Sequence, residues 1–394
     1  MDAKELTERY IAHTYKRQPI TLVKGRGMFL WDSEGKRYLD FVAGVAVCSL
    51  GHCHPDIIKA ISEQAKKLIH VSNLYYIQPQ AELAALLAKI APSPIGKFFF
   101  CNSGAEAVEA ALKLAVKRTK RKRIIAMQGS FHGRTTATVG ATWKTSYRVP
   151  FKALIPKVFD FVPFNDLTAV ERAIGKQTAA VIVEPVQGEG GVNIPSDDYL
   201  PGLRKICDEN DLLLICDEVQ TGLGRTGKWF ACEHWNVKPD EITMAKALGG
   251  GFPIGCMGAK KEVMDSFAPG DHASTFGGNP LACSAAIASI KTMRRLKLPQ
   301  RAAKMGRYFL SRLNELAEKH DCIKEARGIG LILGLEVTEK SIAEVAVVKA
   351  RERGFLINCT SDKVLRFVPP LIVEQKHIDS LISELDCIIA EVKK

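Results

Sequence analysis

Between about residues 55 and 290, short apolar runs alternate with longer stretches whose apolar positions recur at helical spacing. The runs at 97–101, 124–127, 179–183, 212–216 and 242–245 are nearly continuous in apolar residues, the pattern of strands buried on both faces. Stretches such as 105–117 and 201–210 read as the helices between them. Such alternation predicts an α/β fold with a mostly parallel central sheet covered on both sides. Ahead of it, residues 28–41 alternate around Glu34-Gly35 and predict a hairpin. A long helical stretch begins near Pro280, after which the pattern changes. Residues 328–337 and 364–367 read as strands, and 341–353 and 375–393 as helices. The division expected is an N-terminal segment (1–54) packing with a small α+β domain (291–394), and a large domain (55–290) between them.

Composition narrows the class. The chain has 394 residues, 46% hydrophobic and 25% charged, as in ordinary globular proteins, and its length suits two domains. No apolar run approaches the roughly 18 residues of a membrane span. The first ten residues are charged and begin an amphipathic helix, unlike a secretory signal, and their three acids argue against a transit peptide. The expected compartment is the cytoplasm. Eleven scattered cysteines with no Cys-x-x-Cys give neither a disulfide framework nor a zinc site. His52-Cys53-His54 would point to opposite faces of an extended segment, so it reads as a turn before Pro55, and no metal is expected. Net charge is +12, densest at Lys117, Arg118, Lys120, Arg121, Lys122 and Arg123. That cluster ends a helical pattern, where cations favour the helix dipole, and lacks the interleaved aromatics of a nucleic-acid module. Excess positive charge instead favours anionic small molecules.

Candidate chemistry gathers where the predicted strands end, the edge at which open α/β sheets bind ligands. Asp217 and Glu218 close one apolar run, and Lys246 follows another and precedes Gly249-Gly250-Gly251. Singly, an Asp there is a cap and such a Lys a loop residue. Paired, a carboxylate and an amine can serve opposite ends of a flat ligand such as pyridoxal phosphate. Asn102-Ser103-Gly104-Ala105-Glu106 opens an Ala-rich helix, which gives either an N-cap or an anion site. Phe131-His132-Gly133-Arg134 offers an aromatic face and a guanidinium that could fork onto a carboxylate or form a surface ion pair. Glu184-Pro-Val-Gln-Gly-Glu189-Gly-Gly either lines a polar pocket or solvates a turn. Ser274-Thr275-Phe-Gly-Gly-Asn-Pro is a second possible phosphate anchor. Neither Gly-x-x-x-x-Gly-Lys-Ser/Thr nor Gly-x-Gly-x-x-Gly occurs at the turn of residues 102–106, which removes the main support for a nucleoside triphosphate or dinucleotide there.

In this order, with Lys36-Arg-Tyr-Leu-Asp-Phe, Gly51-His-Cys-His-Pro and Leu365-Arg-Phe-Val-Pro-Pro, these motifs resemble the class III, fold-type I, pyridoxal-phosphate aminotransferases over nearly the whole chain. The resemblance implies a fold-type I α/β architecture with a mostly parallel sheet in a large domain and a smaller α+β domain. It implies pyridoxal 5′-phosphate as cofactor, with Lys246 bonding its aldehyde carbon and Asp217 its ring nitrogen. The other cofactor residues implied are Gln220 at the ring hydroxyl, Phe131 against the ring, Ser103, Gly104 and Ala105 at the phosphate, and Glu218 and Val219 nearby. Thr275 would reach the phosphate of a second subunit, so a homodimer with shared sites is implied. Arg134 and Ser274 would meet the substrate, and Glu189 would alternately cover and release Arg366 for two different amino-group partners.

Within the family the chain is most similar to the acetylornithine group, which implies transfer of the terminal amine of N2-acetyl-L-ornithine to 2-oxoglutarate. Val45, apolar where ornithine enzymes of the family carry a tyrosine, suits an acylated α-nitrogen with no charge to match. Succinylornithine, N-succinyl-diaminopimelate, carrier-bound lysine, ornithine and 4-aminobutyrate are the alternative donors, and a lyase or racemase the alternative class.

Overall fold

The computed structural model describes residues 2–392, so Lys393, the expected end of the last helix, lies outside the described residues. Seven strands build the central sheet: β1 (Ile95–Cys101), β2 (Arg123–Met127), β3 (Phe159–Val162), β4 (Thr178–Val183), β5 (Leu213–Asp217), β6 (Glu241–Met244) and β7 (Gly255–Lys260). Their order across the sheet is β1-β7-β6-β5-β4-β2-β3. All neighbours run parallel except β7, which is antiparallel to both β6 and β1.

Burial explains the apolar runs. Every residue of β4 and β6 is buried, because helices cover both faces. Ile182 and Ile215 join the cluster beneath helix Gly104–Thr119. Val181, Val183, Leu214 and Cys216 join the larger core with Leu200, Leu203 and Ile290 on the opposite side. Truncating one such side chain, Leu214→Ala for example, costs about 2–5 kcal/mol. Helix Gly104–Thr119 has Ser103 as its N-cap and Glu106 in its first turn. It ends with Lys117, Arg118 and a left-handed Lys120, the charge order its dipole favours. Much of the basic cluster is thus structural: Lys117 pairs with Asp271, and Arg123 with Asp160.

Two smaller sheets flank this body. Leu22–Arg26, Phe29–Asp32 and Arg37–Asp40 form antiparallel pairs, and the last pairs in parallel with Phe355–Leu356. Ile323–Ile329, Ile332–Val337, Val364–Phe367 and Asn358–Thr360 form the other sheet.

Three expectations need correction. The run 328–337 is not one strand: it holds the end of strand Ile323–Ile329, a turn at Gly330, whose φ is +56°, and the paired strand Ile332–Val337. The helical stretch from Pro280 is two helices, Pro280–Arg295 and Leu298–Lys319, parted by Lys297 at φ +50°. Strands β3 and β7 carry no apolar run and were not anticipated. In β7, a Cβ on Gly255 would lie 2.2 Å from the Ser103 carbonyl oxygen, and one on Gly258 2.8 Å from Phe98. Close packing removed the residues that would have marked the strand.

Among the described residues no helix is long and apolar enough to cross a membrane, and no group of three His, Cys, Asp or Glu could hold a metal ion. His52 Nε2 bonds Asp40 Oδ2 at 2.7 Å, while His54 caps helix Pro55–Ala65, so the His-Cys-His stretch is structural.

Candidate active site

Asp217 is the last residue of β5, Lys246 lies two residues beyond β6, Ser103 two beyond β1, and Glu184 one beyond β4. All therefore meet at the carboxyl edge of the sheet. A cavity of about 490 Å³ opens there, lined by Ser103, Gly104, Ala105, Phe131, Arg134, Asp217, Val219, Gln220 and Lys246.

Asp217 is buried and held by three donors. His132 Nδ1 donates to Oδ2 at 2.7 Å, and Thr243 Oγ1 and the Val219 N–H donate to Oδ1 at 2.9 and 3.1 Å. Thr243 pairs with Asp217 across β5 and β6, so the sheet register itself sets that contact. Burial pulls the His132 imidazole down, but the Asp217 hydrogen bond and the Asp217 and Glu184 charges outweigh it and raise its pKa. Glu184 accepts from the Phe131 N–H at 2.9 Å and fixes the loop that carries the aromatic ring. Burial lifts the Glu184 carboxyl to about 7, against the lowering charge of His132.

Lys246 stands at φ +40°, a strained backbone for a side-chain-bearing residue. Among the described residues it makes no hydrogen bond or ion pair. Burial lowers its pKa, with Arg366 adding to the effect and Glu189 and Asp217 opposing it. A lysine held this way keeps more of its amine unprotonated than a solvated one does, and so more of it free to act as nucleophile or base.

At the start of helix Gly104–Thr119, Ser103 Oγ and the Asn102 N–H both donate to Glu106. That leaves the Gly104 and Ala105 N–H groups as the open donors of an anion site. A Cβ on Gly104 would lie 2.8 Å from Val219 Cγ1, so only glycine lets the helix end approach the loop after β5.

Arg134 is exposed at the cavity mouth, its guanidinium 3.4 Å from the Tyr147 ring centre. Arg366 lies deeper, 1% exposed, and donates to Glu189 Oε1 at 2.5 Å and to Gln220 Oε1 at 3.1 Å. Burial raises the Glu189 carboxyl, but Arg366 and Lys246 win and hold it below its ordinary value. Glu189 borders an adjoining cavity of about 510 Å³ that shares Phe131 with the first.

Five sequence candidates are absent from the wall of the first cavity: Glu189 and Arg366, which pair beside it, and Glu218, Ser274 and Thr275. Glu218 turns into the protein, accepting from Thr221 Oγ1 and the Cys232 N–H, so its bond network holds the following loop. Ser274 Oγ accepts from Asn102 Nδ2 at 3.2 Å and from the Gly277 N–H at 3.0 Å, one shell out. Thr275 is exposed, next to exposed Phe276. Val45 belongs to a left-handed turn, Ala43 to Ala46, that delivers Val47 to the cavity wall. Conversely, no role was foreseen for His132 or Thr243, whereas Glu184 belongs to the stretch expected either to line a polar pocket or to solvate a turn, and it lines the cavity. The one signal was that His132 sits inside the loop already singled out for Phe131 and Arg134.

The donor set fits a phosphorylated pyridine aldehyde: an anion site at a helix start, a buried carboxylate for a ring nitrogen, and an unpaired amine. His132, through its Nδ1 bond to Asp217, already braces that carboxylate, and its buried Nε2 has no partner among the described residues.

The family described as "Aminotransferase class-III" matches residues 10–389. The acetylornithine aminotransferase of Methanocaldococcus jannaschii is 50% identical over 99% of this chain and 98% of its own length. That of Caldanaerobacter subterraneus is 50% identical over 98% of both. Among solved structures, the ornithine aminotransferase of Toxoplasma gondii superposes with a TM-score of 0.94 at 33% identity, covering 99% of this chain and 94% of that one. The acetylornithine aminotransferase of Elizabethkingia anophelis gives 0.87 at 34%, covering 98% of both.

Proposed function

The chain belongs to the class-III aminotransferases, and from that premise we propose that it moves the terminal amino group of N2-acetyl-L-ornithine to 2-oxoglutarate. The products are N-acetyl-L-glutamate 5-semialdehyde and L-glutamate, a step of arginine biosynthesis. The observation that carries this reading is the meeting of Asp217, Lys246, Phe131 and Arg134 in one cavity beside an anion-binding helix start. Pyridoxal 5′-phosphate is the cofactor, and when bound it supplies an electron sink for a carbanion.

The chain's own residues do the rest. Gly104, Ala105 and Ser103 would hold the cofactor's phosphate, Phe131 its ring, and Gln220 and Val219 the side of the site beside that ring. Asp217, fixed by His132 and Thr243, holds the proton of the ring nitrogen. Lys246 is the residue that would hold the cofactor's aldehyde end, and its Nζ, buried in the same cavity, would move the proton at the reacting carbon. Its lowered pKa keeps that amine available as a base. Arg134 grips the α-carboxylate, in a geometry a lysine cannot copy. Glu189 neutralises Arg366 while the amino donor is bound and swings off it to admit the second carboxylate of 2-oxoglutarate. One site serving both half-reactions makes the kinetics ping-pong.

The same reading makes the protein a cytoplasmic homodimer, divided at 1–54, 55–290 and 291–394. Exposed Thr275 completes the partner's phosphate site, and exposed Phe276, Leu74, Tyr75 and Tyr76 supply apolar surface for a second copy.

A half-reaction screen tests the substrate. Purified protein is mixed with acetylornithine, ornithine, 4-aminobutyrate or succinyl-diaminopimelate, following the cofactor's visible absorbance and then glutamate formed from 2-oxoglutarate. Acetylornithine should react fastest, and a faster reaction with ornithine or 4-aminobutyrate refutes the assignment.

A further inference from the structure

A third cavity, also of about 510 Å³ and distinct from the one beside Glu189, lies between the edge strand β3 and the connection that follows residue 144. Arg123 and Phe159, the first residues of β2 and β3, line it, so it sits toward the opposite end of these strands from Asp217. Its floor is aromatic, Phe159 and Phe161, closed by Ile155. Gly140 makes the tightest approach: a Cβ there would lie 2.7 Å from Phe159 and 2.9 Å from Ile155.

Its charge is one-sided. Arg123, Arg148, Lys152 and Lys157 line the cleft, and no carboxylate does. Arg123 is neutralised by Asp160, with Nε to Oδ2 at 2.6 Å. The other three have no acidic partner among the described residues. Arg148 packs its guanidinium 4.5 Å from the Phe161 ring centre and gives one hydrogen bond, to the Trp143 carbonyl at 3.0 Å. Its buried Nε has none. Three unpaired cations over an aromatic floor, in a volume typical of small-molecule sites, form a complementary surface for an anion with a flat apolar body.

The cleft also has a mechanical link. Arg148 ends the single helical turn Thr145–Arg148, and the residue before it, Tyr147, packs on Arg134 at the mouth of the catalytic cavity. A ligand held by Arg148 would thus bear on a turn whose preceding side chain, Tyr147, packs on Arg134.

We propose that this cleft is an effector site for a phosphorylated planar ring compound, coupled to Arg134 through the turn Thr145–Arg148. Two sources share that chemistry, a nucleoside phosphate and free pyridoxal phosphate. Binding here stands apart from the reaction proposed above, and the coupling is read on whichever amino donor the enzyme uses.

Holoenzyme, whose catalytic phosphate site is already filled, is titrated calorimetrically with AMP, ADP, pyridoxal phosphate, inorganic phosphate and adenosine. The expected result is saturable binding of a ring phosphate below about 1 mM, with adenosine and inorganic phosphate at least about tenfold weaker. Tighter AMP or ADP names the nucleotide source, and tighter pyridoxal phosphate the cofactor source. Lys152→Glu and Lys157→Glu, both at exposed positions that leave the fold intact, should each weaken binding about tenfold, and Arg148→Gln more. The bound compound should change KM for the amino donor at least about twofold with kcat nearly constant. No saturation by any ring phosphate, or unchanged affinity in the two lysine variants, overturns the site. Equal binding of inorganic phosphate overturns the ring requirement, and binding with KM unmoved overturns the coupling.

Discussion

Glu184→Gln isolates the proton held beneath the catalytic cavity. Burial lifts the Glu184 carboxyl from an ordinary 4.5 to about 7. Between those values the folded protein keeps a proton that the unfolded chain has released. Stability from this group is therefore fully present below pH 4.5 and is lost as pH rises through about 7. At about 1.4 kcal/mol per pH unit, the loss is about 3 kcal/mol. Glutamine keeps the acceptor for the Phe131 N–H and never ionises; it gives up the acceptor for the Gly188 N–H at 3.3 Å, a cost that does not vary with pH and so leaves the pH slope as the readout. Relative to wild type, the variant should gain about 3 kcal/mol between about pH 4.5 and pH 8, measured by urea unfolding of the cofactor-free proteins. His132 complicates the slope in a known direction. Its raised pKa makes its own contribution present below 6.5 and lost as pH rises, so some pH dependence persists in the variant. Parallel pH profiles for wild type and Glu184→Gln would refute the assignment of that buried proton.

Gly104→Ala should cost about 1–3 kcal/mol through the clash with Val219 and speed cofactor loss on dialysis, and normal retention would remove Gly104 from the anion site. Glu241 is buried with both carboxylate oxygens unpartnered among the described residues, and burial with the neighbouring Asp240 raises its pKa well above normal. Glu241→Leu should therefore stabilise the protein by about 1–3 kcal/mol, more at alkaline than at acid pH, and a lower melting temperature would contradict this. Val45→Gly should relieve about 1 kcal/mol of left-handed strain at φ +63° and raise the melting temperature slightly, whereas a lower one would mean the turn is not strained. Arg134→Lys should raise KM for the amino donor about tenfold with cofactor still bound, and unchanged kinetics would take Arg134 out of the carboxylate role.

The central strands were legible because burial on both faces demands continuous apolar runs, and the corresponding termini agree to within about two residues. Strand β7 was invisible for the opposite reason: glycines stand wherever Ser103 and Phe98 press against it. The break at Lys297 and the turn at Gly330 were hidden because each is a single left-handed residue inside a periodic pattern. At the site, residue types at strand ends pointed to Asp217 and Lys246, since chemistry there needs particular functional groups. What a one-dimensional pattern could not give was which neighbours brace them. His132 reaches Asp217 across 85 positions of chain, and Glu218, adjacent to Asp217, points away because successive strand-end side chains alternate in direction.

Lys246, Asp217 and Gly104 all stand at the edge of one seven-stranded sheet, whereas Arg366 belongs to a strand of a separate four-stranded one. Small displacements between these two bodies would leave the spacing of amine, acid and helix start untouched and alter only how far the buried guanidinium reaches. Under the reading proposed above, the grip on a second carboxylate is thus mounted on a different plate from the chemistry at the ring, so the two can vary independently.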